Sequence, residues 1–256
     1  MRLLFSEFNA DYSSYSFGYA VYAVREPDDH LPDLYARGFL PYTGRTDVEP
    51  AVFYLARSVR VDLAAFENTS ENRRINRKVE NLQMNFRVLP KAEFDVEFAG
   101  FRRLCLDAAR ARFSDNAMTD ERLSYVLSRE TASHIFEYKA GERIVGYVVA
   151  YLDEEILHYW FAFYDVALMH AHGLGKWMMW AAIDYAKRQG LQYVYLGTAY
   201  HEKALYKVRD FKGIQFFDGT GWHTDLKRLK HYCKTDGDAK PADRIKLEGR
   251  FDCFDL

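Results

Sequence analysis

The fold of this protein follows from residues 159–211, whose centre reads His170-Ala171-His172-Gly173-Leu174-Gly175-Lys176. The aromatic run 159–164 before it is typical of a β-strand, and residues 177–188 after it are typical of a helix. A second predicted strand follows at 191–196. Strand, glycine turn, helix and strand together build a site for an anion or an acyl group. The reason is that glycines let the backbone approach a ligand, and the unpaired amides at a helix start are electropositive.

The residues before this stretch predict antiparallel strands and two helices. Three strand-like runs, 134–139, 143–152 and 155–164, are joined by tight turns, as in β-hairpins. Amphipathic helices are predicted at 101–111 and 119–129, the second capped by its first residue, a threonine. These elements predict an α/β (α+β) fold, with a mixed, mainly antiparallel sheet and helices on both faces.

The first third of the chain is predicted to contain strands, turns and one basic helix. Residues 52–62 read as a single strand, and residues 88–94 as a link between two halves. The basic helix is predicted at 69–80, where Thr69 or Ser70 can cap the first turn. Its cations share part of one helical face: Arg73, Arg74, Arg77 and Lys78. That face is either solvated with no partner or a phosphate-contacting surface.

Composition limits the class of protein and its surroundings. The formal net charge of −2 gives no global attraction for nucleic acid, so an RNA contact requires a local basic patch. The three cysteines, Cys105, Cys233 and Cys253, have no CxxC spacing, which argues against zinc and against a disulfide framework. No segment approaches the roughly 18 apolar residues of a membrane span, and the start of the chain lacks the pattern of a signal peptide. A cytoplasmic protein without a metal or a membrane partner is expected.

Residues 134–211 resemble the GNAT acyltransferase superfamily. The resemblance rests on the hairpin stack, the Gly173-x-Gly175 turn at a helix start, and Ala204-Leu205-Tyr206 followed by Phe211. The chain departs from the usual pattern at two positions. His170 replaces a glutamine or arginine, and Asp210 replaces the glycine before the phenylalanine. Acetyl-CoA is the donor that this superfamily implies.

A narrower resemblance, to the arginyl- and leucyl-tRNA–protein transferases, covers most of 34–211. It is carried, in order, by Leu34-Tyr35-Ala36-Arg37-Gly38-Phe39, Arg73-Arg74-Ile75-Asn76-Arg77-Lys78, Phe163-Tyr164-Asp165, Tyr193-Val194-Tyr195-Leu196-Gly197, Lys203 and Tyr206-Lys207-Val208-Arg209. That family has an N-terminal cysteine cluster, whereas this chain has no cysteine before Cys105. The resemblance implies a strand-rich, partial GNAT-like lobe at 1–92, a GNAT-like acyltransferase domain at 93–234 and a polar tail at 235–256.

The resemblance implies transfer of an amino acid from aminoacyl-tRNA to an amine of a protein or peptide, with the charged tRNA as co-substrate and no cofactor. Tyr206 is the candidate acid or proton relay, and could otherwise be a packing tyrosine. Asp165 is the candidate group for binding a cationic amine, and could equally cap the next segment. Backbone amides at the end of 159–165 are candidates for stabilising the oxyanion.

The remaining candidate residues divide between the two ends of the donor. Those expected to contact the acyl-donor end are Tyr164, His170, His172, Gly173, Leu174, Gly175 and Lys176. Those expected to contact the tRNA acceptor stem are Arg73, Arg74, Arg77 and Lys78. Two alternatives stay open: an acetyl-CoA-dependent N-acetyltransferase, and a GNAT-like module that binds RNA or protein without catalysis.

Overall fold

The structure, a computed structural model, describes residues 1–11, 16–49, 51–113 and 117–236. The predicted polar tail, 235–256, lies outside the described residues from residue 237 onward. The elements of the first third are, in order, β1 (Arg2–Asp11), β2 (Ser16–Val24), α1 (Leu31–Ala36), β3 (Phe39–Pro41), β4 (Val52–Leu55) and β5 (Ser58–Asp62).

The middle of the chain, as described, contains three α-helices and four strands. Its elements are α2 (Ser70–Val79), β6 (Met84–Pro90), α3 (Ala99–Arg112), α4 (Asp120–Ser128), β7 (His134–Ala140), β8 (Arg143–Leu152) and β9 (Ile156–Tyr164). The later elements are α5 (Val166–His172), α6 (Leu174–Arg188), β10 (Tyr193–Thr198), α7 (Tyr206–Arg209), β11 (Ile214–Phe217), β12 (Trp222–His223) and α8 (Leu226–Thr235).

The described residues group into two compact units that are not sequential halves. Unit 1 combines the described parts of Met1–Tyr42, Ala51–Phe66 and Leu196–Leu256. Unit 2 combines the described parts of Thr43–Pro50 and Glu67–Tyr195. The basic helix α2 belongs to unit 2. The domain boundaries expected from the sequence, after residues 92 and 234, remain predictions.

Unit 1 contains an antiparallel sheet in the order β1-β2-β4-β3, and β5 pairs with β11, which pairs with β12. The prediction of one strand over 52–62 was wrong, because the chain bends at Ala56 and Arg57 between β4 and β5. The bend is stabilised by the buried Arg57 guanidinium, which donates to the Asp236 carboxylate and to the Ala199 carbonyl. A straight strand would leave that side chain without its carboxylate.

Unit 2 contains the strands β10-β9-β8-β7-β6, of which β10 runs parallel to β9 and the others are antiparallel. The prediction of a link at 88–94 was wrong for its first part, since β6 pairs with β7 from Met84 to Pro90. Proline closes this strand because it has no N–H to donate to a continuing ladder.

Both faces of this sheet are covered by helices, as predicted. Phe101 and Cys105 of α3 and Leu123 of α4 pack with Tyr147 and Phe163 of β8 and β9 in one buried cluster. On the other face, the hydroxyl of Tyr138 in β7 donates to the Met178 carbonyl in α6. The mixed, mainly antiparallel α/β fold is therefore confirmed. None of the helices in the described ranges combines the length and apolar character that crossing a bilayer requires.

Candidate functional site

The end of β9 in unit 2 has an unpaired edge. β10 pairs with β9 only from Ile156 to His158, and within unit 2 no described strand takes the same edge beyond that point. The pairing of β8 with β9 shifts register so that Trp160 is an extra, bulged residue. The bulge and the short pairing leave the second half of β9 open to a ligand on one edge.

The peptide groups on this open edge follow from strand alternation. The Asp165 amide donates to the Val145 carbonyl at 2.9 Å, so the peptide groups of residue 165 face β8. In an antiparallel ladder alternate residues face the same neighbour, so Phe163 also faces β8, whereas Ala162 and Tyr164 face the open edge. The amides expected to stabilise an oxyanion are therefore those of Ala162 and Tyr164.

Asp165 begins α5, where only a short connector was expected. Its Oδ1 accepts from the Ala167 amide at 2.8 Å and the Leu168 amide at 3.2 Å, as an N-cap. Its other carboxylate oxygen accepts from the Arg143 guanidinium. The capping alternative thus describes the contacts of Asp165, and its amine-binding role remains a prediction.

The glycine turn joins two helices directly. Gly173, at φ 73°, is both the C-cap of α5 and the N-cap of α6, a left-handed conformation that favours glycine. Helix α6 begins at Leu174, three residues earlier than predicted, because the Lys176 and Trp177 amides already donate to the Gly173 carbonyl. The amides of Leu174 and Gly175 make no hydrogen bond to any described residue, whereas the Gly173 amide donates to Met169. An anion can therefore be held at the start of α6.

Gly175 allows α6 to contact the side chain of Tyr164. A Cβ built on Gly175 lies 2.6 Å from Tyr164 Cζ and Oη, closer than any real side chain can approach. The Arg112 guanidinium lies over the Tyr164 ring, 4.3 Å from its centroid. Burial raises the pKa of Tyr164, so its phenol is neutral at physiological pH.

The basic helix α2 is attached to this turn by side chains. Thr69 caps it, as predicted, accepting from the Asn72 amide at 3.1 Å. His172 Nδ1 lies 2.9 Å from the Lys78 carbonyl, and Trp177 Nε1 donates to Asn76 at 3.1 Å. The predicted tRNA-contacting helix is therefore adjacent to the glycine turn within unit 2, although Leu174, one of the predicted donor-contacting residues, is fully buried.

The cations of α2 differ in their partners. Arg74 makes a bidentate ion pair with Glu71, and Arg73 donates to the Asn68 carbonyl. Arg77 and Lys78 are exposed and make no side-chain hydrogen bond or ion pair with a described residue. His170 is also exposed. Of the predicted tRNA-contacting cations, Arg77 and Lys78 are the most available to an incoming phosphate.

Glu71 of α2 pairs with Arg74 on the same helix and with Lys176 on α6, and its contribution to the free energy of unfolding depends on pH. Hydrogen bonds from Arg74, with a smaller effect of Lys176, lower the pKa of Glu71 to about 2. Because the folded pKa lies below the ordinary value, Glu71 stabilises the fold above about pH 4.5, and this is lost as pH falls toward 2. We expect Glu71→Gln to cost about 1 kcal/mol of unfolding free energy near pH 6, and much less at pH 3.

Denaturant unfolding of both proteins at several pH values measures this difference. Glu80→Gln, at the residue directly after α2 and without an ion pair to a described residue, is the matched control and should show no such trend. A Glu71→Gln penalty that stays constant from pH 6 to pH 3 would contradict the assigned ion pairs.

A cavity of about 380 Å³ lies within unit 2 between α3, the start of β8, the end of β9 and the start of α5. Its size falls in the range of small-molecule sites. Its lining residues are Leu104, Asp107, Ala108, Ala111, Arg143, Ile144, Tyr164, Asp165, Val166 and Ala167. Its wall is largely apolar, and its two carboxylates are paired, Asp107 with Arg110 and Asp165 with Arg143.

Tyr206 lies in unit 1, as the first residue of α7, and is 41% exposed. The next residue, Lys207, donates to the Thr198 carbonyl at 2.8 Å, and burial lowers the pKa of Lys207 to about 8. The role of Tyr206 as acid or proton relay remains a prediction from the sequence.

Two residues at the site were missed by sequence reasoning. Arg112 comes directly after the helix predicted at 101–111, and Arg143 is the first residue of the strand predicted at 143–152, with no motif around either. The one available signal was that each cation stands at one end of its element. Among the described residues, no group of three or more His, Cys, Asp or Glu side chains is placed to hold a metal.

Residues 70–209 match the model of the acetyltransferase (GNAT) domain, over more than half of the chain. The chain belongs to this family. It is 28% identical over 207 residues to an aspartate/glutamate leucyltransferase of Ruegeria pomeroyi, covering 76% of this chain and 73% of the relative. An aspartate/glutamate leucyltransferase of Stenotrophomonas maltophilia is 25% identical over 174 residues, 65% of this chain and 68% of the relative.

Among solved structures, L-PGS from Bacillus licheniformis aligns with a TM-score of 0.45 and 19% identity. The alignment covers 56% of this chain and 46% of the solved chain, so less than half of that protein is represented. The GNAT match and the named relatives confirm both the predicted family and the class of enzyme. This GNAT protein is an acyltransferase.

Proposed function

We propose that this acyltransferase moves an aminoacyl group from a charged tRNA to the amine of a protein or peptide. The observation that carries the proposal is the attachment of the basic helix α2 to the glycine turn. The His172–Lys78 contact of 2.9 Å places a cationic helix face beside the amides at the start of α6. A polyanionic donor such as a charged tRNA can contact both features at once.

The exposed cations of α2 support an RNA donor, although the net charge of the whole protein is −2. Phosphate contacts are made by exposed Lys and Arg on a local surface, whatever the charge of the whole protein. Arg77 and Lys78 meet that requirement on the α2 face. His170 and Lys176 lie at the turn itself, where the terminal nucleotide would be held.

The chemistry is aminolysis of an ester that is already activated. The acceptor nitrogen attacks the ester carbonyl, a C–N bond forms, and the C–O bond to the ribose breaks. The proton lost by the amine goes, directly or through a relay, to the ribose oxygen that leaves. An α-amine has a pKa of about 8, so a part of it is neutral at physiological pH and no strong base is required. The site mainly has to align the reactants and stabilise the oxyanion.

The open edge of β9 provides donors for that oxyanion. The amides of Ala162 and Tyr164 face this edge. One such preorganised donor is typically worth about 3 kcal/mol of transition-state stabilisation. Asp165 is proposed to hold the cationic amine of the substrate, in the cavity that it lines with Asp107.

The named relatives suggest which substrates to test first. They are aspartate/glutamate leucyltransferases, so leucyl-tRNA is the first donor, and peptides that begin with aspartate or glutamate are the first acceptors. Labelled leucyl-tRNA and labelled acetyl-CoA are incubated in parallel with these peptides and with an alanine-initiated peptide. Transfer of label from leucyl-tRNA to the peptide supports the proposal, and transfer of label from acetyl-CoA alone would contradict it. Binding without transfer would favour the non-catalytic alternative.

Charge reversal on α2 tests the RNA surface separately. We expect Arg77→Glu to weaken tRNA binding about 3- to 10-fold at low salt, because a phosphate contact becomes a repulsion. The slope of log affinity against log salt should fall by about one. Filter binding over a range of salt concentrations measures both quantities.

Arg103→Glu is the matched control, since Arg103 is an exposed arginine on α3 of the same unit. It changes the net charge by the same amount and should leave the salt slope unchanged. Equal effects of the two variants would show that only the overall charge matters, and that α2 is a solvated face.

A further inference from the structure

Arg112 lies at the open edge of β9, where no motif had pointed. It is the last residue of α3, and its Nη1 donates to the Ala162 carbonyl at 2.9 Å. Ala162 faces the open edge, so the guanidinium occupies a position that a neighbouring strand would otherwise take. Its plane is stacked on Tyr164, 4.3 Å from the ring centroid, which fixes the orientation of the remaining donors.

The charge of Arg112 is not neutralised by a described carboxylate. Asp107, on the same helix, pairs with Arg110, and Asp165 is engaged with Arg143 and with the start of α5. A guanidinium has five N–H donors. The Ala162 carbonyl is the one acceptor that Arg112 has among the described residues, so most of its donors remain available to a ligand.

Arg112 is adjacent to the anion site at the start of α6. Tyr164 contacts both, with Arg112 stacked on its ring and with Gly175 so close that a Cβ there would lie 2.6 Å from Oη. Two electropositive groups thus flank one tyrosine: the guanidinium, and the unpaired amides of Leu174 and Gly175. A single phosphate uses one of them, whereas two successive phosphoryl groups can use both.

We propose that Arg112 binds a phosphoryl group of the donor, next to the one held by the amides of Leu174 and Gly175. Planar guanidinium groups match phosphate oxygens with two parallel hydrogen bonds, and stacking on an aromatic ring preorganises them for it. The proposal rests on the proposed function for the identity of the donor. Successive phosphodiesters at the end of tRNA and the diphosphate of coenzyme A present the same chemistry.

Direct binding separates these two sources. The probes are the trinucleotide CCA carrying a 5′-phosphate, and coenzyme A, each titrated calorimetrically into wild-type protein and its variants. We expect Arg112→Ala to weaken binding of the cognate probe about 10- to 100-fold. Arg112→Gln, which keeps an N–H for the Ala162 carbonyl, should bind as weakly while remaining folded by circular dichroism. Arg110→Ala, on the same helix, should stay within about 2-fold of wild type.

Steady-state transfer gives the second readout. Loss of a phosphoryl contact should raise the donor KM of Arg112→Ala with little change in kcat, and added guanidinium ion should restore part of the affinity. If wild type binds coenzyme A and not the trinucleotide, the proposed donor is wrong, while the role of Arg112 stands provided that its variants weaken coenzyme A binding. Wild-type affinity in Arg112→Gln, or no binding of either probe to wild type, would overturn the inference.

Discussion

Replacing Gly175 by alanine is expected to abolish most donor binding and to lower the unfolding free energy by about 1–3 kcal/mol. The new Cβ would lie 2.6 Å from Tyr164 Cζ and Oη, so either the ring or the start of α6 has to move. Tyr164 is only 7% exposed and its ring contacts the Arg112 guanidinium, so the ring cannot move without disturbing the open edge of β9. Donor titration and denaturant unfolding of the variant measure the two effects.

A double-mutant cycle shows whether the clash is the cause. Tyr164→Ala removes the ring, so Gly175→Ala should cost about 1–3 kcal/mol less in that background than in wild type. Gly221→Ala is the control for the substitution itself, because its Cβ meets nothing closer than 3.9 Å. It should change stability by less than about 1 kcal/mol. Strictly additive effects of Gly175→Ala and Tyr164→Ala would reject the proposed contact.

Asp236→Ala is expected to have the largest effect on stability, about 3–5 kcal/mol. Asp236 and Arg57 are 2% and 1% exposed, and the carboxylate accepts from Arg57 Nη1 at 2.9 Å. The carboxylate also accepts from the His201 amide at 2.7 Å. Its removal leaves a guanidinium buried within unit 1 without its counter-charge, and such a charge is far more costly than a missing contact. Urea unfolding of the variant gives the free energy directly.

The exposed pair of Arg45 and Asp47 provides the comparison, with side chains 67% and 64% exposed. Asp47→Ala should cost at most about 1 kcal/mol, because solvent screens the pair and replaces it. The double variant Arg57→Met/Asp236→Leu should recover much of the stability that Asp236→Ala loses, since neither charge then remains. A cost of Asp236→Ala no larger than that of Asp47→Ala would show that the pair is hydrated in solution.

The local elements of the site could be predicted because their causes are local. Thr69 caps α2 and Thr119 caps α4 through hydrogen bonds to amides three residues on, which the sequence spacing shows. The hairpins of β7, β8 and β9 follow from alternation and short turns. Gly173 adopts the left-handed conformation that only glycine accepts readily.

The predictions of secondary structure were wrong where an element depends on residues distant in the sequence. The break between β4 and β5 depends on Asp236, which is 179 residues away from Arg57. β6 was read as a link because its pattern is weak, and it exists as a strand because β7 offers a complete ladder. Helix α5 was missed because Asp165 reads equally well as a strand end or as a cap.

The amino-acid sequence was sufficient to predict the mixed, mainly antiparallel sheet with helices on both faces, the glycine turn and the basic face of α2, whereas the GNAT family was indicated by the resemblance of residues 134–211. The sheet, the turn and the basic face follow from hydrogen bonding and periodicity within a few residues. Tertiary packing alone brings His172 to the carbonyl of Lys78, 94 residues away, and Arg112 to the open edge at Ala162. Neither contact has a local signal, because it depends on how α2, α3 and α6 are placed against one sheet.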